Sequence, residues 1–340
     1  PIYRMLIANA TGCSSIYGGN LPSTPYTTDA YGRGPAWANS LFEDNAEFGL
    51  GFRLTVDQHR ARVMRLLEQF ADKIPAELND ALHAEAKPDV RRAQVAELRH
   101  ALQGVEGAEQ LLTDADALVE KSIWLIGGDG WAYDIGFGGL DHVLSLTENV
   151  NILVLDTQCY SNTGGQASKA TPLGAVTKFG EHGKRKARKD LGVSMMMYGH
   201  VYVAQISLGA QLNQTVKAIQ EAEAYPGPSL IIAYSPCEEH GYDLALSHDQ
   251  MRQLTATGFW PLYRFDPRRA DEGKLPLALD SRPPSDALAE TLLQEQRFRR
   301  LNAQQPEVAE QLWRDAAADL QKRYDFLAQL AGKAEKSTSE

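Results

Sequence analysis

The chain has 340 residues, of which 43% are apolar and 23% charged, and these proportions are typical of a globular protein of about two domains. Its formal net charge of −10 argues against a nucleic-acid partner, whose binding surface is basic. No apolar run approaches the roughly 18 residues of a membrane-spanning helix. We therefore expect a soluble protein with neither a membrane nor a nucleic-acid partner.

The cysteine content indicates the compartment. Cys13, Cys159 and Cys237 are far apart and odd in number, which is not typical of a disulfide framework, so we expect a reducing, cytoplasmic setting. The sequence starts at Pro1 without the charged segment of a signal peptide. We expect it to be truncated and part of the functional unit to be missing.

The first 121 residues contain a loop-rich part and a helical part. Tyr3–Asn9 predicts a strand, and a long loop leads to a helix predicted from about Pro35, because proline is favourable in a first helical turn. From Thr55 to Lys121 apolar residues recur at helical spacing, and Pro75 and Pro88 break the pattern into several helices. We interpret this part as a helical insertion that carries no chemistry.

Strands and helices alternate in the next segment. The predicted strands are Ser122–Ile126, Val150–Leu155, Val201–Ile206 and Ser229–Ala233. The predicted helices are Ile135–Leu146, about Asp190–Tyr198 and Leu212–Ala224, and Gly127–Gly130 is a predicted turn. This order predicts an α/β fold with a doubly wound, mostly parallel sheet, whose ligands bind in the loops beyond the carboxyl ends of the strands.

The carboxyl-terminal part is again helical. From about Pro283 the sequence predicts a charged helical tail with a frayed end. The patterns together predict four parts: the loop-rich start (1–54), the helical insertion (55–121), the α/β core (122–282) and the tail (283–340).

Two loops on successive predicted strands carry the sharpest chemical signal. Gly128-Asp129-Gly130 follows one strand, and Asp156–Gly165 follows the next. A carboxylate and other oxygens at neighbouring strand ends can share one magnesium ion, which takes six oxygens at about 2.1 Å, and glycines let backbone N–H groups approach a diphosphate. Alone, GDG could be a plain turn, since Asp-Gly is a common turn dipeptide; the second loop favours a cofactor site. The spacing resembles the thiamine-diphosphate motif, with Thr157 at the usual asparagine position and Asn162 five residues later.

Longer stretches resemble one family. GGDGWAYDIGFGGLDH (127–142) and DTQCYSNTGGQASKATPLGA (156–175) are similar to the carboxyl-terminal region of pyruvate:ferredoxin (flavodoxin) oxidoreductases. Supporting stretches lie at 7–19, 34–49, 225–237 and 258–268. The resemblance covers nearly the whole chain and is loose at 57–121. It implies a thiamine-diphosphate-binding fold and the conversion of pyruvate and coenzyme A to acetyl-CoA and carbon dioxide, with electrons passing to ferredoxin or flavodoxin.

The resemblance implies a role for individual residues. Magnesium would be held by the side chains of Asp129 and Thr157 and by the backbone carbonyl of Cys159. Asn162 would lie close to the thiazolium and the substrate oxygen, as the catalytic residue of this chain. The other implied cofactor-binding residues are Cys13, Gly128, Gly130, Trp131, Gln158, Tyr160 and Ser161.

A [4Fe–4S] cluster is also implied. Cys13 and Cys237 match two ligands of the family's cluster nearest the thiamine, and such a cluster takes four cysteines. The family's other two ligands form a CxxC motif upstream of the 7–19 stretch, so we expect this chain alone not to complete the cluster. Without the resemblance, two separated cysteines would be interpreted as small buried apolar residues.

The implied partners are the amino-terminal domains of the same enzyme, pyruvate, coenzyme A, a ferredoxin or flavodoxin, and a second subunit in a homodimer. The activating glutamate and the pyruvate-binding residues would lie in those domains, so the isolated chain is expected to be inactive. One alternative is another 2-oxoacid:ferredoxin oxidoreductase, although two-subunit members tend to have an acidic residue after GDG, where this chain has Trp131. The other is a catalytically silent diphosphate-binding scaffold.

Three further features have simpler interpretations. The basic run Lys184–Lys189 could dock an acidic electron carrier, but a solvated face or an internal partner for acidic residues is favoured. Met195–Met197 on a predicted helix indicates core filling. His182, His200 and His240 have no metal-like spacing and receive no role.

Overall fold

A computed structural model describes residues 4–19, 26–285 and 287–333. Within these ranges the strands form one eight-stranded sheet in the order β2-β1-β3-β4-β6-β5-β7-β8. The strands are β1 Met5–Ala10, β2 Ala36–Ser40, β3 Ser122–Gly128, β4 Asn151–Asp156, β5 Tyr202–Ile206, β6 Ser229–Tyr234, β7 Tyr263–Phe265 and β8 Leu277–Leu279. The first six strands are parallel to one another, whereas β7 and β8 add an antiparallel edge beside β5. The predicted α/β fold with a mostly parallel sheet is confirmed.

Helices cover both faces of this sheet and form the two flanking helical regions. In chain order they are α1 Cys13–Gly19, α2 Asn45–Gln69, α3 Ala76–His83, α4 Pro88–Ala101, α5 Glu109–Asp114, α6 Phe137–Ser145, α7 Leu191–Met196, α8 Leu212–Glu223, α9 Ser247–Ala256, α10 Leu288–Leu292, α11 Gln296–Gln304 and α12 Pro306–Leu330. None of those in the described ranges combines the length and apolar character needed to cross a membrane.

The region between β2 and β3 is helical, as the sequence predicts. Helices α2 to α5 enclose a separate apolar core that contains Val63, Leu67, Leu98 and Leu111. Helix α2 begins at Asn45 and runs through residues 54 and 55, where the sequence analysis places a boundary. The tail is also helical through α10, α11 and α12, and its expected frayed end at 334–340 lies outside the described residues.

Three local predictions are wrong. No helix starts at Pro35, because the next residues form β2, which pairs in parallel with β1 through Leu6 and Ala36. The predicted turn at Gly127–Gly130 is not present as such, because Gly127 and Gly128 end β3 and a π-helix runs over Gly130–Ile135. Of the three methionines assigned to the core, Met195 and Met196 are buried, but Met197 is 81% exposed.

The strand order brings four loops to one edge of the sheet. Strands β1, β3, β4 and β6 are neighbours, and because they are parallel their carboxyl ends lie together. In register, Gly128 of β3 stands beside Leu155 of β4, and Asp156 of β4 stands beside Tyr234 of β6. The loops that contain Cys13, Asp129, Thr157 and Cys237 therefore start from adjacent strands.

Candidate active site

A cleft of about 350 Å³ opens at these four strand ends. Residues of all four loops line it, together with Phe42, which follows β2. The lining residues are Thr11–Ser14, Phe42, Gly128–Gly130, Leu155, Thr157, Cys159–Thr163 and Ser235. Such a position, beyond the carboxyl ends of parallel strands, is where α/β sheets bind ligands.

Asp129 is the carboxylate at the base of the cleft, and it is 1% exposed. Thr157 Oγ1 lies 2.9 Å from Asp129 Oδ1 and 3.1 Å from the carbonyl oxygen of Cys159. The Thr157 N–H also donates to Asp129 Oδ1, at 3.2 Å, and the Ser168 hydroxyl donates to Oδ2 at 2.5 Å. A carboxylate, a hydroxyl and a carbonyl oxygen thus lie close together, with the hydroxyl of Thr157 within hydrogen-bond distance of the other two.

A second carboxylate lies behind the first. Asp156, at the end of β4, is fully buried and pairs with Arg188 Nη2 at 2.6 Å. The Tyr133 hydroxyl donates to the same Asp156 oxygen at 2.7 Å. Burial, followed by repulsion from Asp156, raises the pKa of Asp129 to about 7. A bound cation would therefore stabilise the ionised form of Asp129.

Gln158 links the cleft loop to the carboxyl-terminal tail. Its backbone adopts a φ of +62°, a conformation uncommon for a residue other than glycine. The Asp156 carboxylate accepts the Gln158 N–H at 3.1 Å, and the Gln158 side-chain oxygen accepts a hydrogen bond from Arg297 at 2.7 Å. Arg297 itself pairs with the fully buried Glu295 at 2.6 Å. The Gln158 side chain is thus directed away from the cleft.

The loop after β6 contacts the loop after β4 from the other side. His240 is fully buried, and burial lowers its pKa to about 4. The imidazole is therefore neutral at pH 7, and its Nε2–H donates to the Thr157 carbonyl at 2.7 Å. Ser161 Oγ, which donates to Thr157 Oγ1 at 2.7 Å, lies 3.2 Å from the Cys237 thiol.

All three cysteines are free thiols near this site. The Cys13 sulfur is exposed in the cleft, 4.0 Å from Asn162 Oδ1. Cys159 is buried, with its sulfur 3.4 Å from Ser161 Oγ. Hydrogen bonding to Cys159 lowers the pKa of the partly buried Cys237 to about 6, a value that favours the thiolate form needed to bind a metal.

Most residues expected to bind the cofactor line the cleft. They are Cys13, Gly128, Asp129, Gly130, Thr157, Cys159, Tyr160, Ser161 and Asn162. Gly130 has a local requirement, because a Cβ there would approach the Tyr160 ring to 2.6 Å and the Phe42 ring to 3.1 Å. Two expected residues do not line the cleft: Gln158, described above, and Trp131, whose ring is fully buried in the main core.

Sequence reasoning missed four buried polar residues that hold the cleft loops: Asp156, Ser168, His240 and Arg297. Ser168 lies inside the 156–175 stretch, but nothing in its spacing indicates that it donates to Asp129. The others act through contacts between strands or helices that are distant in the chain. Among the described residues no group of three or more His, Cys, Asp or Glu side chains could hold a metal ion.

The basic run 184–189 contains internal partners, as favoured from the sequence. Arg188 pairs with Asp156, and Lys184 Nζ donates to the carbonyls of Ser168 and Thr171 at 2.9 and 2.7 Å. Arg185 and Lys186 are exposed. Two members of the run therefore stabilise the site loops from within the fold.

Comparisons with known proteins show what the chain is similar to. Residues 100–233 match the family model of the thiamine pyrophosphate enzyme C-terminal TPP binding domain. The chain is 90% identical over 337 residues to a probable pyruvate-flavodoxin oxidoreductase of Escherichia coli (strain K12), covering 99% of this chain and 29% of that protein. It is 54% identical over 340 residues to the pyruvate-flavodoxin oxidoreductase of Rhodospirillum rubrum, covering 98% of this chain and 28% of that protein.

A solved structure, the 2-oxoglutarate:ferredoxin oxidoreductase from Magnetococcus marinus, aligns with a TM-score of 0.42 and 15% identity, over 74% of this chain and 67% of that one. The chain spans less than a third of the length of the two curated relatives. The resemblance to pyruvate:ferredoxin (flavodoxin) oxidoreductases that the motifs predict is confirmed.

Proposed function

From the similarity of nearly the whole chain to one segment of pyruvate-flavodoxin oxidoreductases, we propose that it is the thiamine-diphosphate-binding part of such an enzyme. The complete enzyme would convert pyruvate and coenzyme A to acetyl-CoA and carbon dioxide and pass the electrons to flavodoxin or ferredoxin. The relatives are more than three times as long as this chain. We therefore assign the remaining steps and partners, including a second subunit, to the complete enzyme.

One observation carries the magnesium assignment. In an octahedral magnesium site with bonds of about 2.1 Å, neighbouring ligand oxygens are about 3.0 Å apart. Thr157 Oγ1 lies 2.9 Å from Asp129 Oδ1 and 3.1 Å from the Cys159 carbonyl oxygen. These two spacings fit two edges of such an octahedron, and a cation would replace the hydrogen bonds now joining the three oxygens. Asp129, Thr157 and the Cys159 carbonyl would hold the ion, with diphosphate oxygens and water as the other ligands.

The cleft above these oxygens fits the cofactor chemically. Gly128 has open space, since a Cβ there would have only the Leu155 carbonyl oxygen nearby, at 3.9 Å, so the backbone is accessible to a diphosphate. Asn162 lines the same cleft and would place its amide near the reacting atoms. When bound, thiamine diphosphate supplies the carbanion that adds to the 2-oxo carbon and the ring that accepts the electrons left by decarboxylation.

Cys13 and Cys237 are the proposed ligands of a [4Fe–4S] cluster. In support, the Cys13 sulfur lies 4.0 Å from Asn162 Oδ1 and the Cys237 sulfur lies 3.2 Å from Ser161 Oγ, so both thiols contact residues that line the cleft. A cubane cluster takes four thiolates, and Cys159 is assigned through its carbonyl instead. We therefore assign the other two ligands to the rest of the complete enzyme.

The magnesium assignment is tested by Asp129→Ala in the complete enzyme. Because the variant lacks the anionic ligand, we expect no magnesium-dependent binding of thiamine diphosphate by isothermal titration calorimetry. Asp141→Ala is the matched control, since Asp141 accepts a hydrogen bond from Tyr198 at 2.8 Å and does not line the cleft. Unchanged affinity in Asp129→Ala would refute the assignment.

A further inference from the structure

Side-chain contacts join the loop after β4 to the loop after β6, and two of them involve the proposed ligand residues. One is the pair of Ser161 and Cys237, 3.2 Å apart. The other is the hydrogen bond from His240 to the Thr157 carbonyl, at 2.7 Å. Thr157 is a proposed magnesium ligand and Cys237 a proposed cluster ligand, so the two sites share one set of contacts.

Hydrogen bonds hold both the backbone and the ring of His240 in place. Its backbone N–H donates to the Cys237 carbonyl at 3.1 Å and closes the 3-10 turn Glu238–His240. The ring is fully buried and lies between the Thr157 carbonyl at Nε2 and the Tyr234 hydroxyl, 3.4 Å from Nδ1. The next residue, Gly241, has a φ of +73° and accepts the Gln296 N–H at 3.1 Å. The ring is therefore held by two contacts, and the backbone on either side of it by two others.

We propose that His240 is a positioning residue that fixes the magnesium-ligand loop relative to the cluster-ligand turn. Its ring fixes the position of the Thr157 carbonyl, and hence the direction of the Thr157 side chain toward Asp129. Its backbone fixes the conformation of the turn that follows Cys237. This inference rests on the function proposed above. Its consequence is that one substitution at His240 alters both sites, although His240 does not itself line the cleft.

The expected size follows from the behaviour of metal sites in general. Residues that orient a metal ligand without binding the metal change its affinity by about 10–100-fold when they are replaced. Without its donor the Thr157 carbonyl would lose a hydrogen-bond partner in a partly buried place, and we expect the loop to shift to recover one. A glutamine can still offer an N–H to that carbonyl, whereas a leucine only fills the volume.

The test compares His240→Gln and His240→Leu in the complete enzyme. His200→Leu is the matched control, because His200 Nε2 likewise lies 2.9 Å from a backbone carbonyl, that of Leu146, but outside the cleft. Magnesium affinity is measured by calorimetry at saturating thiamine diphosphate, and the reduced cluster is observed by electron paramagnetic resonance. We expect His240→Leu to weaken magnesium binding by about tenfold or more and to alter the cluster spectrum. His240→Gln should recover most of both, and His200→Leu should match wild type.

The outcomes separate this inference from the proposed function. A wild-type enzyme that binds neither magnesium with thiamine diphosphate nor a cluster would overturn the function itself. If the wild type binds both, an unchanged magnesium affinity in His240→Leu overturns the inference. Equal losses in the glutamine and leucine variants also overturn it, because the donor would then be irrelevant. If His240→Leu does not fold, His240→Asn, whose shorter side chain cannot reach Thr157, is judged by the same criteria.

Discussion

Replacing Asp129 by asparagine should stabilise the metal-free chain and make its stability less dependent on pH. The asparagine side chain is nearly the same size and could still accept hydrogen bonds from Thr157 through its amide oxygen. Ser168, which now donates to Oδ2 of Asp129, can rotate its hydroxyl to accept from the new amide. The substitution therefore removes the charge while preserving the packing, and the difference in unfolding free energy reports the burial of that charge.

The magnitude follows from the pKa of Asp129, which burial and then Asp156 raise from 3.8 to about 7. Because the folded state holds its proton more tightly, this group's stabilisation is fully present below pH 3.8 and is lost as the pH rises to about 7. Within that window the loss is about 1.4 kcal/mol per pH unit. From pH 5 to pH 8 the wild type should therefore lose about 3 kcal/mol relative to Asp129→Asn.

The assay is urea denaturation of the metal-free chain in a chelator at pH 5, 6, 7 and 8. Asp141→Asn, which removes a carboxylate outside the cleft, is the control and should follow the wild type. We expect the difference between Asp129→Asn and wild type to grow steadily from pH 5 and to level off above pH 7. If the unfolding free energies of wild type and Asp129→Asn depend on pH in the same way, Asp129 is ionised in the metal-free fold without loss of stability. That result would refute the reasoning.

Three other outcomes are expected. The chain should purify without a stoichiometric cubane cluster, because the proposed ligands Cys13 and Cys237 would supply only two of four thiolates; four irons per chain after anaerobic reconstitution would contradict the ligand assignment. Mixed with pyruvate, coenzyme A, thiamine diphosphate, magnesium and oxidised viologen, it should reduce no viologen above the blank, and robust turnover would show that the catalytic unit is smaller than proposed. Arg188→Met should lower the free energy of unfolding by about 3–5 kcal/mol, because it leaves the buried Asp156 unpaired; the exposed Arg185→Met should change it by less than about 0.5 kcal/mol in the same urea titration.

The sequence predicts the central strands well, because buried parallel strands are continuous apolar runs. Val150–Leu155, for example, predicts β4 to within one residue at each end. Strand β2 is missed because it is short and lies at the edge of the sheet, where exposed and partly buried positions mix and give no clear period. Strands β7 and β8 have three residues each, too few for any periodicity.

The residues of the candidate site likewise divide into those that the sequence predicts and those that it does not. Asp129 and Thr157 are predictable because each follows its own strand directly, and a strand end is a signal local in sequence. His240 and Arg297 are not, because each reaches the Thr157–Gln158 loop through the arrangement of chain-distant elements. Strand β6 pairs with β4 although β5 lies between them in sequence, and the sequence alone does not give that order.

The two buried carboxylates at these strand ends differ in their partners, and the difference supports the proposal that Asp129 is the magnesium ligand. Asp156 has a guanidinium partner inside the fold, Arg188, at 2.6 Å. Asp129 accepts only neutral donors in the described part of the chain, from Thr157 and Ser168, and no ion pair there includes it. A buried charge without a counter-charge is destabilising, and proteins retain such groups where function requires them. The charge missing at Asp129 is the one that a divalent cation would supply, so magnesium bound there as proposed should stabilise the fold.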